Sequence, residues 1–217
     1  MDLLAGFLDL LLHLDQHLRE LVQTYGTWVY AILFGIVFLE TGLVVTPFLP
    51  GDSLLFVGGT LAAAGELDVH LLAFLLALAA IIGDSVNYAI GRYIGPRVFH
   101  FEDSRFFKRA YLEKTHAYFE RHGGKTIVIA RFIPIIRTYA PFVAGVGQMH
   151  YPRFLAFNVA GGMLWVMSLT YAGFFFGNLP FVKDNLTLII IGIIVVSIMP
   201  AIVEIWRQRR IVPKSAG

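Results

Sequence analysis

The chain has 217 residues, 57% of them hydrophobic and 15% charged, with a mean hydropathy of +0.71. A soluble domain of this size cannot hide that much apolar surface, which places the chain in the membrane class. Its formal charge of +2 excludes a bulk electrostatic partner such as nucleic acid, and its lack of cysteine excludes disulfides, thiolate metal sites and cysteine nucleophiles.

The first residues hold no lysine or arginine before Arg19, unlike a cleavable secretory signal. Leu3, Leu4, Phe7, Leu8, Leu11, Leu14, Leu18 and Leu21 recur at helical spacing, with Asp9, His13, Asp15, Gln16 and Glu20 mostly between them. This pattern predicts an amphipathic helix over 1–25, lying on the membrane. His13 and His17 share a face but lack a third ligand, so they belong to the polar side of that helix, and neither metal nor cofactor is expected.

Five apolar stretches follow, 28–65, 70–91, 126–148, 154–177 and 186–206, to be judged against the ~20 residues that span a bilayer. The first is too long for one helix and is broken at Pro47, Pro50 and Gly51, with Glu40 and Asp52 on either side. The third is broken at Pro134 and Pro141 and carries Arg131 and Arg137. Basic residues concentrate in the loop 92–125 (Arg92, Arg97, Arg105, Lys108, Arg109, Lys114, Arg121, Lys125) and in the tail 207–217 (Arg207, Arg209, Arg210, Lys214). The positive-inside rule puts both in the cytoplasm.

An even number of crossings must then separate loop and tail, yet three apolar stretches lie between them. One has to turn back, and 126–148, with its prolines and arginines, is read as a re-entrant hairpin lining a protein-enclosed cavity. The 28–65 stretch is read as a first such hairpin, whose first arm, Trp28 to Thr46, has a length that suits either spanning the bilayer or dipping into it, and 70–91, 154–177 and 186–206 as transmembrane helices. Gly65 and Gly147, Gly91 and Gly173, and Gly95 and Gly177 are each 82 positions apart. Each set follows a broken stretch, which points to a repeat of hairpin plus helix. Because 70–91 runs inward and 154–177 outward, the two copies are inverted, a plan that places ligands near the bilayer midplane. The expected fold is therefore a single all-α polytopic membrane domain over 1–217, built on that inverted repeat.

The charges in these segments need partners, since a carboxylate or guanidinium at the bilayer centre costs at least ~2.5–3.5 kcal/mol. Guanidinium stays charged and its donor fork suits phosphate oxygens, so Arg131 and Arg137 are candidate head-group ligands, with Thr138 and Tyr139 as further donors. Glu40 and Asp52 are candidates for proton coupling, because carboxylates withdrawn from water can exchange protons near neutrality. Asp84, within Gly83-Asp84-Ser85-Val86-Asn87-Tyr88, suits either proton coupling or pairing with an arginine. Trp165 sits mid-span and is read as core or cavity lining. Gly124-Lys125-Thr126 ends like a phosphate-binding loop, but Phe119 stands where that loop needs glycine. With no hydrolase or metalloprotease motif either, no enzyme is expected.

Taken in order, Phe48-Leu49-Pro50-Gly51-Asp52, Gly83-Asp84-x-x-x-Tyr88-x-x-Gly91-Arg92-x-x-Gly95 and Arg131-Phe132-Ile133-Pro134-x-x-Arg137 resemble the DedA family. Ala144-Gly145-x-x-x-Met149 and Asn158-x-x-Gly161-x-x-x-Trp165 extend the resemblance over nearly the whole chain. It implies a bacterial inner-membrane protein with paired re-entrant hairpins, related to the VTT-domain (SNARE-associated Golgi) lipid scramblases. It also implies a part in recycling undecaprenyl phosphate, dependence on the proton-motive force and a role in envelope integrity. The family's important acids and arginines map onto Glu40, Asp52, Arg131 and Arg137. The functional expectation is a lipid-phosphate translocase whose partners are a polyprenyl phosphate or phospholipid and protons. The alternatives are a proton-coupled transporter of a small solute or ion, and a non-transporting membrane scaffold whose buried ion pairs are structural.

Overall fold

The computed structural model describes residues 14–43, 51–98, 124–132, 134–177, 179–184, 188–189 and 192. Outside them lie the first half of the expected surface helix, Pro47 and Pro50, most of the basic loop, Ile133, most of the expected span 186–206 and the tail 207–217. The described elements are all helical: α1 (Leu14–Tyr25), a 3-10 turn (Gly26–Trp28), α2 (Val29–Gly42), α3 (Gly51–Ala63), α4 (Val69–Val98), α5 (Lys125–Ala130), α6 (Pro134–Val146), α7 (Tyr151–Phe176) and α8 (Pro180–Asp184). This is an all-α membrane protein, and three helical runs are long and apolar enough to cross a bilayer: Gln16–Gly42, Val69–Ile94 and Tyr151–Phe176.

The first of these runs joins α1 to α2 through a bend at Gly26, whose φ of +53° suits a residue without a Cβ. As expected, α1 is amphipathic, and its apolar stripe meets protein. Leu18 is buried, and Leu21 and Val22 pack on the same core as Val29, Leu55 and Leu72. On its polar side Arg19 forms an ion pair with Glu66 at 3.5 Å.

Helices α4 and α7 pack on each other and form the centre. α2 and α6 pack on α4, while α3 and α5 pack on α7. Each central helix therefore takes one arm from each broken stretch. The contacts are close because glycines face backbone. A Cβ on Gly59 would run into the Thr170 carbonyl, and one on Gly173 into the Phe56 carbonyl. A Cβ on Gly91 would strike the Phe142 carbonyl, and one on Gly145 the Tyr88 carbonyl. Both the α3–α7 and the α4–α6 seams thus bring main chain against main chain, the usual arrangement where small residues let membrane helices approach.

The second arms also end alike. At the end of α3 the Gly65 N–H donates to the Ala62 carbonyl at 3.0 Å and the Glu66 N–H to the Leu61 carbonyl at 3.1 Å. At the end of α6 the Gln148 N–H donates to Gly145 and the Met149 N–H to Ala144, both at 3.0 Å. The left-handed residue that allows each turn is Gly65 (φ +83°) and Gln148 (φ +53°). These lie 83 positions apart, so the turn is shifted by one from the 82-residue spacing of the glycines, and Gln148 rather than Gly147 occupies the strained position.

The break in 126–148 also differs from expectation. One helix ends at Ala130 and the next begins at Pro134, where a missing N–H has no helical role. Pro141 lies inside α6, and the helix continues through it. Its ring removes only the donor that would have met the carbonyl of Arg137, four residues back, and packing against α4 holds the rest.

The glycine seams yield a stability prediction. Gly59→Ala and Gly173→Ala should each lower the thermal midpoint of detergent-purified protein, by the ~1–3 kcal/mol typical of overpacking. Gly35→Ala, where nothing lies within 4 Å of the added Cβ, should instead leave the midpoint unchanged or raise it, by up to ~1 kcal/mol. Equal effects at all three sites would show that the seams are not tightly packed.

Candidate functional site

The five intramembrane charges arrive from five different elements. Glu40 sits on the last turn of α2, Asp52 on the first turn of α3, Asp84 on α4, Arg131 just past α5 and Arg137 on the first turn of α6. Asp52 there faces the positive end of its helix dipole. Gly51 makes room for Glu40, since a Cβ at that position would overlap its carboxylate. Four of the five are at least nine-tenths buried, Glu40 completely so. Asp52, with a side chain 17% exposed, is the member nearest the outside.

Arg137 is shared between both acids of the first broken stretch. Its Nη1 donates to Asp52 Oδ1 at 2.6 Å, and its Nη2 donates to Glu40 Oε1. Arg131 is held separately, its Nη2 donating to Asp84 Oδ2 and to Asn158 Oδ1. Asn158 on α7 is fixed in turn by donating to the Ile81 carbonyl at 2.9 Å. The Arg131 side chain lies over Gly161 and Gly162, where added Cβ atoms would come within 3.2 Å of its Cδ and 3.4 Å of its Nη2 respectively. Asn87 on α4 ties both broken stretches together, its amide donating to the Thr41 carbonyl at 3.1 Å and to the Thr138 carbonyl at 2.8 Å.

Trp165 lies close to both arginines. The Arg137 guanidinium carbon is 4.8 Å from its ring centroid and that of Arg131 is 6.0 Å away, both within cation–π range. Its indole N–H donates to Asp52 Oδ1 at 2.8 Å, the same oxygen that accepts from Arg137. Several buried polar atoms lack a side-chain or backbone partner, among them Glu40 Oε2, Arg131 Nε and Arg137 Nε.

Of the residues singled out from sequence, Glu40, Asp52 and Arg137 converge on one cluster, and Arg131 and Asp84 form an adjoining pair. Thr138 is buried beside them, whereas Tyr139 is 43% exposed and, two residues along the helix from Arg137, faces away from the cluster. The structure adds Trp165, Asn158 and Asn87 as polar contacts. A buried asparagine in an apolar span carries the same signal as a buried charge, in weaker form. Three carboxylates facing two guanidiniums give the site one acid in excess. It is suited to holding an anion at the arginines once carboxylates give way, and to moving protons as they do.

Removing one partner of a buried pair strands the other, at a cost of ~3–5 kcal/mol. Asp84→Ala should accordingly lower the thermal midpoint sharply, and Asp84→Asn combined with Arg131→Gln should recover most of the loss in circular-dichroism melts. A double variant as unstable as Asp84→Ala would mean that the ion pair is more than a local strut.

The VTT domain matches residues 49–175, a span that holds Asp52, Asp84, Arg131, Arg137 and Trp165. Glu40 precedes that span but falls within a full-length likeness to Protein DedA of Escherichia coli K12, 58% identical over 218 aligned residues and covering 100% of both chains. An uncharacterized membrane protein of Mycobacterium tuberculosis H37Rv is 48% identical over 196 residues, covering 88% of this chain and 86% of its own. Inner membrane protein YqjA of Escherichia coli K12 is 35% identical over 187 residues, covering 83% and 85%. No solved structure matches.

Proposed function

We propose that this chain, which belongs to the VTT-domain (DedA) family, is a proton-motive-force-dependent translocase of lipid phosphates in the bacterial inner membrane, with undecaprenyl phosphate as the type of substrate. The observation that carries this reading is the buried Arg137, shared between carboxylates from both arms of the first broken stretch. A phosphate head group reaching that guanidinium has to displace Asp52 or Glu40. A displaced carboxylate beside a phosphate is tolerable only when protonated, since two neighbouring anions disfavour one another's charge. Head-group entry therefore takes up a proton and release gives it back, which ties translocation to the proton gradient. Arg131, also within reach of the Trp165 ring, adds a second positive charge, and Thr138 a further donor. Asp84 serves as the partner of Arg131. The lipid tail stays in the bilayer throughout.

The reciprocal packing of α2 and α6 on α4, and of α3 and α5 on α7, supports two re-entrant hairpin-plus-helix units of inverted sense. The matched turns after α3 and α6 support the same plan. With the basic loop and tail in the cytoplasm, the charges meet between the two units. The inner-membrane name of the relative YqjA supports the location. The partners are lipid and protons, nucleic acid is not among them, and no covalent chemistry is involved.

Reconstituted vesicles loaded with undecaprenyl phosphate test this. Wild-type protein should speed its transfer between leaflets under an imposed proton gradient. Arg131→Ala with Arg137→Ala should abolish transfer, because it forfeits charge-assisted hydrogen bonds worth roughly 1.5–3 kcal/mol each. Equal transfer by both proteins would sink the arginine role. If the pairs are only structural, exchanging Arg137 and Asp52 for one another should restore function, whereas a head-group ligand is not rescued in that way.

A further inference from the structure

Two donors from different helices meet at one oxygen: Asp52 Oδ1 accepts from Arg137 Nη1 at 2.6 Å and from the Trp165 indole N–H at 2.8 Å. We infer that Trp165 is itself a head-group ligand, and that Asp52 Oδ1 marks the position a phosphate oxygen takes when the acid withdraws. This rests on the proposed function in taking the anion to be a phosphate ester.

In this structure two donors converge on one acid oxygen. A single carboxylate oxygen serves both Arg137 Nη1 and the indole, while Arg137 Nε is buried without a partner in a side chain only 8% exposed. Glu40 meets the guanidinium through Oε1 alone, and its Oε2 is also unpaired. A phosphate monoester offers three terminal oxygens, enough for Nη1 and the indole N–H to have one each. Exchanging Asp52 for phosphate therefore lets the two donors stop sharing one oxygen, and that difference favours the loaded state. Trp165 is suited to the part, being 2% exposed, with its ring 4.8 Å from the Arg137 guanidinium carbon. It thus orients the cation and supplies a neutral donor that adds no charge to the cluster. A phenylalanine would keep the ring and lose the donor.

The test uses the full chain in detergent with Trp28→Phe and Trp206→Phe, leaving Trp165 as the only tryptophan. Titration with a short-chain polyprenyl phosphate should change its emission saturably, and Arg137→Gln should abolish the change. Inorganic phosphate giving the same saturable change would show that the phosphate group alone is recognised. A response to the lipid but not to inorganic phosphate would show that the tail contributes too. Either result supports the site, whereas no response to either ligand overturns it. In vesicles, Trp165→Phe should raise the half-saturating lipid-phosphate concentration about fivefold to tenfold, the size of one hydrogen bond, with the folded yield unchanged. Wild-type affinity in Trp165→Phe overturns the inference and leaves the proposed function standing. A Trp165 signal in a protein that moves no lipid supports the site and overturns translocation.

Discussion

A guanidinium buried in an apolar helical bundle has to bring its counter-charges with it, and the way Arg137 does so organises much of this protein. Its acids come from the end of α2 and the start of α3, so the two arms of the first broken stretch must both reach the second. That convergence asks for backbone closeness around the site. Gly51 clears space for the Glu40 carboxylate, and Gly42 and Gly83 let α2 approach α4 so closely that a Cβ on Gly83 would overlap the Thr41 hydroxyl. The glycine seams and the ion pairs therefore depend on each other. Larger residues in the seams would hold the charges apart, and unpaired charges would forfeit the packing by a few kcal/mol each.

The two arginines are held in different ways. Arg131 is bound by one acid and one neutral amide from α4 and α7, the helices that pack on each other at the centre, and its side chain lies on the two glycines of α7. Releasing it would mean separating the core. Arg137 is bound by acids on the peripheral arms, one of them partly exposed, and its own carbonyl lacks the helical donor that Pro141 cannot supply. The same charge type thus has a fixed setting in one place and a looser one in the other.

Much of this was legible in the sequence. A charge inside a long apolar run is a misfit that stands out, which is why Glu40, Asp52, Asp84, Arg131 and Arg137 could be picked out from residue type alone. The central helices were legible too, though α4 runs to Val98, past the expected end at 91, because a helix need not stop where its apolar content does. The pairing was not legible. Arg137 meets an acid 97 positions away and Arg131 one 47 positions away, and nothing local decides which acid goes to which arginine. Thr138 and Tyr139 look equivalent as donors in sequence, but one step along a helix turns a side chain by about 100°. Trp165 reads from sequence as core or cavity lining, and it is buried. Only coordinates show that its N–H points at a charge.

The excess of one carboxylate gives the cluster a direction of response. With Glu40, Asp52 and Asp84 facing two guanidiniums, added negative charge is opposed unless an acid is neutralised, so in the proposed cycle anion and proton are drawn in together and leave together. Asp52 is placed to act first, as the most exposed acid and the one whose oxygen is shared by two donors. Once it yields, Arg137 keeps only its single bond to Glu40, and the indole N–H is freed beside it. Glu40, fully buried and joined through one oxygen, can follow without any move of α4 or α7. For the proposed cycle, opening the site thus requires rearranging the tips of α2, α3 and α6 while the glycine-packed centre and the Arg131–Asp84–Asn158 strut stay as they are.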